Sequence, residues 1–210
     1  MDTHFNNFLI EFKQCSKPKF IDVLTSSKIN LQTFGSKMIQ FYQAVEHWPQ
    51  FLQKIMDKCQ CKTKCLACQI LLDNILDESG DKSEPHTATF EDFLQQFGCI
   101  KSDPTSDLIK YFNNYLDELA EINPLNAILC AHGIELTYVK ISTLIKNYCE
   151  ENKIHQKHYD NHEVIDIEHA AELKRAAEFI ANRDLCEINE EFILIGSALI
   201  MFVFEKMLED

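Results

Sequence analysis

The chain has 210 residues, 46% of them hydrophobic, with only five Gly and five Pro. That length buries one large core, and the scarcity of turn formers argues against many short strands, so 1–210 reads as a single all-α domain. Its 33 acidic against 20 basic residues give a formal net charge of −13, and no stripe of Lys and Arg stands ready to neutralise phosphates, which argues against nucleic acid as a partner.

The N-terminal MDTHFNNFLIEFKQ is polar and acidic where a secretory leader is basic and then apolar, and nine cysteines without such a leader point to a reducing cytoplasm. Apolar residues recur at three- and four-residue spacing over Phe5 to Phe12, Leu31 to Met56, Cys65 to Leu76, Phe90 to Phe97, Leu108 to Ile122, Leu125 to Tyr148, His162 to Ile180 and Phe192 to Leu208. This predicts a bundle of about seven to eight helices. Breaks fall at 79–85, 102–106 and 122–124, and Asp103 before Pro104 and Asn123 before Pro124 have the form of helix starts. The longest apolar run, Phe192 to Phe204, has 13 residues. That is short of the roughly 20 that span a bilayer, so it reads as a buried C-terminal helix, with a tail anchor as the rival and no membrane partner expected.

Within HYDNHEVIDIEHAAEL (158–173), His162, Asp166 and His169 stand at i, i+4 and i+7, so a helix projects all three from one face. On a buried face such groups are costly unless paired or bound to a metal; on a solvated face they need no explanation. The interleaved Val164, Ile165, Ile167 and Ala170 leave that choice open. Glu135 is a lone carboxylate in the largely apolar AILCAHGIELTYVKIS, one turn after His132, while Glu78 and His86 bracket the SGDKSEP break. Together Glu78, His86, Glu135, His162, Asp166 and His169 offer three imidazoles and three carboxylates, a set suited to two iron or manganese ions. No Glu-x-x-His pair occurs, which disfavours a ferritin-like di-iron bundle.

In chain order these residues read Asp77-Glu78-Ser79-Gly80, His86, Glu135 and His162-x3-Asp166-x2-His169, interspersed with FYQAVEHWPQFLQKI (41–55), NILDESG (74–80) and FEDFLQQFG (90–98). This resembles the haem-oxygenase-like di-iron oxygenases, over roughly residues 15 to 185. The resemblance implies a haem-oxygenase-like helical bundle in which the six residues hold two iron ions, or a manganese–iron pair, with dioxygen as co-substrate and an external reductant. Asp77, beside the expected ligand, is the alternative to Glu78. Haem is not expected, because no early proximal His sits in a convincing helix and His4 is a poor substitute.

Activities in that family include N-oxygenation of amines, oxidative C–C cleavage, and para-aminobenzoate formation for folate synthesis. In the chlamydial branch that makes para-aminobenzoate, the enzyme's own Tyr and Lys supply atoms. The oxidised group is accordingly a small-molecule substrate or self-derived atoms. Tyr42, Tyr138 and Lys146 are the candidate catalytic residues beside the metals, with a place on the helix surface as the alternative. Dimerisation of relatives implies a homodimer. The competing functions are a metal-independent enzyme of the same fold, thiaminase-like or a cofactor-less oxidase, and a non-enzymatic protein that binds a partner helix.

Cys59, Cys61, Cys65 and Cys68 form C-x-C-x3-C-x2-C, which invites a zinc or iron–sulfur reading but matches none of the common ligand spacings; core or helix-surface cysteines are the reading, with a second metal or redox site as the alternative. Cys15, Cys99, Cys130, Cys149 and Cys186 read as core. His155 and His158 lie in a polar run that reads as a solvated helix start, with a proton relay as the alternative; His47 and Trp48 read as structural.

Overall fold

The computed structural model describes residues 20–25, 29–59, 65–81, 84–98 and 106–209, and among them there are nine α-helices and no strand. They are α1 (Phe20–Thr25), α2 (Leu31–Met38), α3 (Tyr42–Lys58), α4 (Leu66–Ser79), α5 (His86–Gln95), α6 (Asp107–Ile122), α7 (Pro124–Glu151), α8 (Lys157–Asp184) and α9 (Glu191–Leu208). The expected helix over Phe5 to Phe12 lies outside the described residues, as do His4, Cys15, Cys61, Cys99, Asp103 and Pro104.

The long segment expected over Leu31 to Met56 is divided by a 3-10 turn at Ile39–Phe41. No Gly or Pro marks that turn, but packing does. It sets Phe41 into the core, 5.8 Å from the Tyr138 ring and 4.9 Å from that of Phe204. Tertiary contacts override a continuous helical period here.

The axis of the molecule is α7. Asn123 caps it by accepting from the Asn126 backbone N–H at 3.1 Å, with Pro124 in the first turn where no amide hydrogen is needed. Among the described helices, α7 alone has the length and hydropathy of a membrane span. Its burial along α8 and α9 accounts for that composition. The contact with α9 is close enough to need glycine on both sides. A Cβ at Gly133 would lie 2.1 Å from the Ile193 carbonyl oxygen, and one at Gly196 would lie 2.0 Å from that of Cys130. Ser197 Oγ donates to the Gly133 carbonyl at 3.1 Å across the same crossing. The last apolar run, expected as a buried helix, is α9, with Leu199, Ile200 and Phe202 to Phe204 in the core.

Candidate metal centre

The first ligand candidate owes its position to a glycine. Gly80 ends α4 in the left-handed region at φ +92°, where its N–H and that of Asp81 return to the Asp77 and Leu76 carbonyls. The helix therefore stops just after Glu78, and the chain returns through Pro85 to start α5 at His86. Glu78 Oε2 then meets His86 Nδ1 at 2.7 Å, with both side chains buried. The other Glu78 oxygen, Oε1, faces His169 Nδ1 at 3.5 Å. Glu135, two residues beyond the Gly133 crossing on α7, completes a tight group. One ligand atom from each of Glu78, Glu135 and His169 lies within 4.8 Å of the others.

On α8 the residues at i, i+4 and i+7 face inward, as a metal-binding stripe requires, and His162, Asp166 and His169 are all buried. His162 Nδ1 is 2.8 Å from Asp166 Oδ1, and the His162 ring lies 4.5 Å from that of His86. The fold thus gathers all six sequence-derived candidates into one buried cluster drawn from α4, α5, α7 and α8.

The electrostatics of the cluster are those of a site short of positive charge. Burial pushes the Glu78 carboxyl up, but the imidazoles of His86, His162 and His169 more than reverse this and hold it below the usual range. His86 is the reciprocal case: burial lowers it, and Glu78 raises it above its ordinary value. In the metal-free chain Glu78 and His86 therefore favour each other's charged form, with a proton on His86 that metal binding would displace. Glu135 is driven well above the usual carboxyl range by burial and then by Asp166 and Glu78. Asp166 is raised likewise by burial and Glu78. His162 is lowered to about 3 by burial and then by His86. The His162–Asp166 contact at 2.8 Å is therefore a hydrogen bond to an imidazole held neutral by burial.

Without a cation, burial and the neighbouring carboxylates favour the protonated forms of Glu135 and Asp166. His86 Nε2, His162 Nε2 and Asp166 Oδ2 are buried with no hydrogen-bond partner, and His169 Nδ1 has only the 3.5 Å approach of Glu78. Buried polar atoms of native proteins are nearly always satisfied, so four such atoms at one place fit metal coordination.

An apolar cavity of about 50 Å³ opens onto the cluster, walled by Phe41, Ala44, Val45, Trp48, Phe112, Ile134, Tyr138 and Ile200, with Glu78, Glu135 and His162 at its polar end. Of the three candidate catalytic residues, Tyr138 lines this cavity, its ring edge-on to His162 at 5.2 Å. Tyr42 instead donates to Glu91 at 2.5 Å. Lys146 is held at the surface by Glu163 at 2.7 Å and Asp160 at 3.1 Å. Neither lines the cavity.

Three residues take roles that the sequence reading gave them only in part. Trp48, read as structural, walls the cavity, and its indole N–H reaches the Glu135 carboxylate. Asp77, the alternative to Glu78, lies with its Oδ2 3.1 Å from His169 Nε2. His158, expected in a solvated helix start, is buried at 1% exposure, because α8 begins at Lys157 and turns this residue onto the face that carries His162. Elsewhere Cys59, Cys68, Cys130 and Cys149 are buried, Cys186 is exposed rather than core, and Cys65 is disulfide-bonded.

Residues 38–192 match a family described as iron-containing redox enzyme, a span that includes every side chain of the cluster. The chain belongs to this haem-oxygenase-like family. Two crystal structures of a CADD-like protein of unknown function from Nostoc punctiforme share its fold. One is 19% identical with a TM-score of 0.69, covering 98% of this chain and 97% of that one. The other is 17% identical with a TM-score of 0.65, covering 98% and 93%. No curated protein matches the chain.

For an iron-containing enzyme, the partner of a ligating imidazole matters as much as the ligand. If His169 coordinates through Nδ1, Asp77 fixes its tautomer by accepting from Nε2–H. Asp77→Ala is expected to weaken ferrous binding about 10- to 100-fold while leaving the circular dichroism spectrum unchanged. Equilibrium metal titration measures this, and parental affinity would assign Asp77 to the surface.

Proposed function

We propose that this protein is a non-haem di-iron enzyme that activates dioxygen to oxidise a small molecule or a group of its own chain. The observation that carries the reading is the buried cluster itself, in which donor atoms of Glu78, His86, Glu135, His162, Asp166 and His169 lie together, several of them unsatisfied. Two ions rather than one are favoured by Glu78, whose oxygens turn to different histidines: Oε1 toward His169 and Oε2 toward His86. Glu135 joins the first side and His162 with Asp166 the second.

Bound iron would supply redox chemistry with dioxygen, the electrons coming from an external reductant. The chain's own groups do the rest. The three carboxylates balance the cationic charge. Asp166 holds His162 Nδ1, leaving Nε2 as the free donor. The apolar walls exclude water, and Trp48 steadies Glu135 through its indole N–H. A cavity of about 50 Å³ holds a diatomic molecule. It is well below the roughly 150 Å³ of a cavity that takes up benzene. A separate organic substrate would therefore extend out of this space or displace part of the wall. Otherwise the oxidised group already lies there, and the Tyr138 ring is the candidate. That second case is the para-aminobenzoate type of chemistry, with Lys146 held away from the cavity by its two carboxylates.

The test is iron and manganese content per chain, after anaerobic loading with ferrous iron, for the parent and for a His162→Ala, His169→Ala double variant. About two ions in the parent and far fewer in the double variant are expected. A parent that takes up none would end the di-iron reading.

A further inference from the structure

The α8 stripe begins one turn earlier than the ligand motif. His158, His162, Asp166 and His169 follow one another as His-x3-His-x3-Asp-x2-His along a single buried face. The hydrogen bonds around His158 favour one tautomer. Thr89 Oγ1 lies 3.0 Å from the His86 carbonyl and 2.9 Å from His158 Nδ1; with its one proton on the carbonyl it accepts from His158 Nδ1–H, and the hydrogen bond of His158 to the His86 backbone agrees with this direction. In this arrangement His158 carries its proton on Nδ1 and presents a lone pair at Nε2.

That Nε2 is buried and has no hydrogen-bond partner. The His158 ring lies 4.3 Å from the ring of His162 and 6.3 Å from that of His86, whose own Nε2 atoms are likewise buried and unpartnered. Its other ring neighbours, Phe90 at 4.9 Å and Tyr159 at 5.0 Å, offer no donor through their ring faces. Three clustered imidazoles with Nε2 free is a disposition that hydrogen bonding does not explain and that a transition-metal ion satisfies, since neutral imidazole is its common nitrogen ligand.

We propose that His158 is a seventh metal ligand, giving its Nε2 lone pair to the ion on the His86–His162 side, with Thr89 as the group that orients it. The assignment rests on the di-iron reading and extends it. The site becomes a set of four histidines and three carboxylates, and the ion beside His158 becomes the more nitrogen-rich of the two. Thr89 ties the orientation of His158 to the backbone of His86, so the histidines of α5 and α8 are set by one hydrogen-bonded unit.

The experiment uses the whole chain. Anaerobic ferrous titration of the parent, His158→Ala and Thr89→Val is expected to give two ions in the parent. In His158→Ala, one of the two should weaken by tenfold or more, and in Thr89→Val the same ion should show a smaller loss. Two ions bound with parental affinity in a folded His158→Ala variant would overturn the assignment and leave the di-iron reading standing, whereas a parent that binds none removes both. Should His158→Ala fail to fold, proton NMR of the cobalt(II)-substituted parent decides. Four exchangeable, hyperfine-shifted imidazole N–H resonances are expected, and three would overturn the proposal.

Discussion

Gly196→Ala is expected to lower the melting temperature by about 6–12 °C, the equivalent of about 3 kcal/mol, at the upper end of overpacking costs. The added methyl would stand 2.0 Å from the Cys130 carbonyl oxygen, and Gly133→Ala places its own 2.1 Å from that of Ile193. Both obstacles are backbone atoms of a facing helix rather than the ends of flexible side chains. Relief requires α7 and α9 to separate along their length. Because Glu135 follows Gly133 by two residues on α7, that separation also moves a carboxylate of the proposed metal centre, so ferrous affinity is expected to fall with stability. Leu194→Ala, on the same helix and 70% exposed, is the control and leaves both unchanged. Thermal melts followed by circular dichroism, paired with metal titration, read the two effects. A Gly196→Ala protein that melts with the parent would show that the two axes are not in contact.

Asp166→Asn and Glu135→Gln are expected to act in opposite directions on the two states of the protein. Each acid has a folded-state pKa raised chiefly by burial, so it keeps its proton in the folded metal-free chain at a pH where the unfolded chain has lost it. Between the ordinary carboxyl value, about 4, and the raised one, the folded state binds more protons and stability declines as pH rises. A neutral amide removes that decline. The metal-free variants should therefore gain on the parent as pH is raised from 4 to 8, with no advantage at the acid end. Glu78 carries the opposite sign, its folded pKa being lowered, chiefly by His86 acting against burial. Its contribution is present at neutral pH and is lost as pH falls through the folded value, so Glu78→Gln destabilises at pH 7. With iron the ranking is expected to invert. In the proposed centre either amide removes an anionic donor, and affinity should fall by more than the roughly 10- to 100-fold that loss of an outer partner costs. Melting curves at several pH values with and without ferrous iron test both halves. An Asp166→Asn variant no more stable than the parent at pH 8 without metal would remove the claim that the site holds excess acid.

The helical architecture was legible because burial in a bundle imposes a period on the sequence. The segments at 108–122, 125–148 and 192–208 correspond closely to α6, α7 and α9, and the Asn123-Pro124 start stands where its capping chemistry requires. The break after Phe41 was not legible, since it follows from where Phe204 and Tyr138 lie and not from any local breaker. Within the site, the stripe of His162, Asp166 and His169 was readable as one face of a helix, but its burial was not, because Val164 and Ile167 interrupt it and prove to be the exposed residues.

By itself the sequence determined most of the helices, the Asn123 cap and the chemistry of the donor groups, all properties of a few adjacent residues; the short helix at Phe20–Thr25 was not expected. Only the tertiary structure decided which donors meet. The turn at Gly80 closes Glu78 onto His86, and the glycine crossing lets α7 bring Glu135 beside His169. The same assembly turned His158 inward, seated Trp48 against Glu135 and left Lys146 at the surface. These are relations between residues distant in the chain, fixed by backbone approach and the cost of buried charge, and no local pattern of residues encodes them.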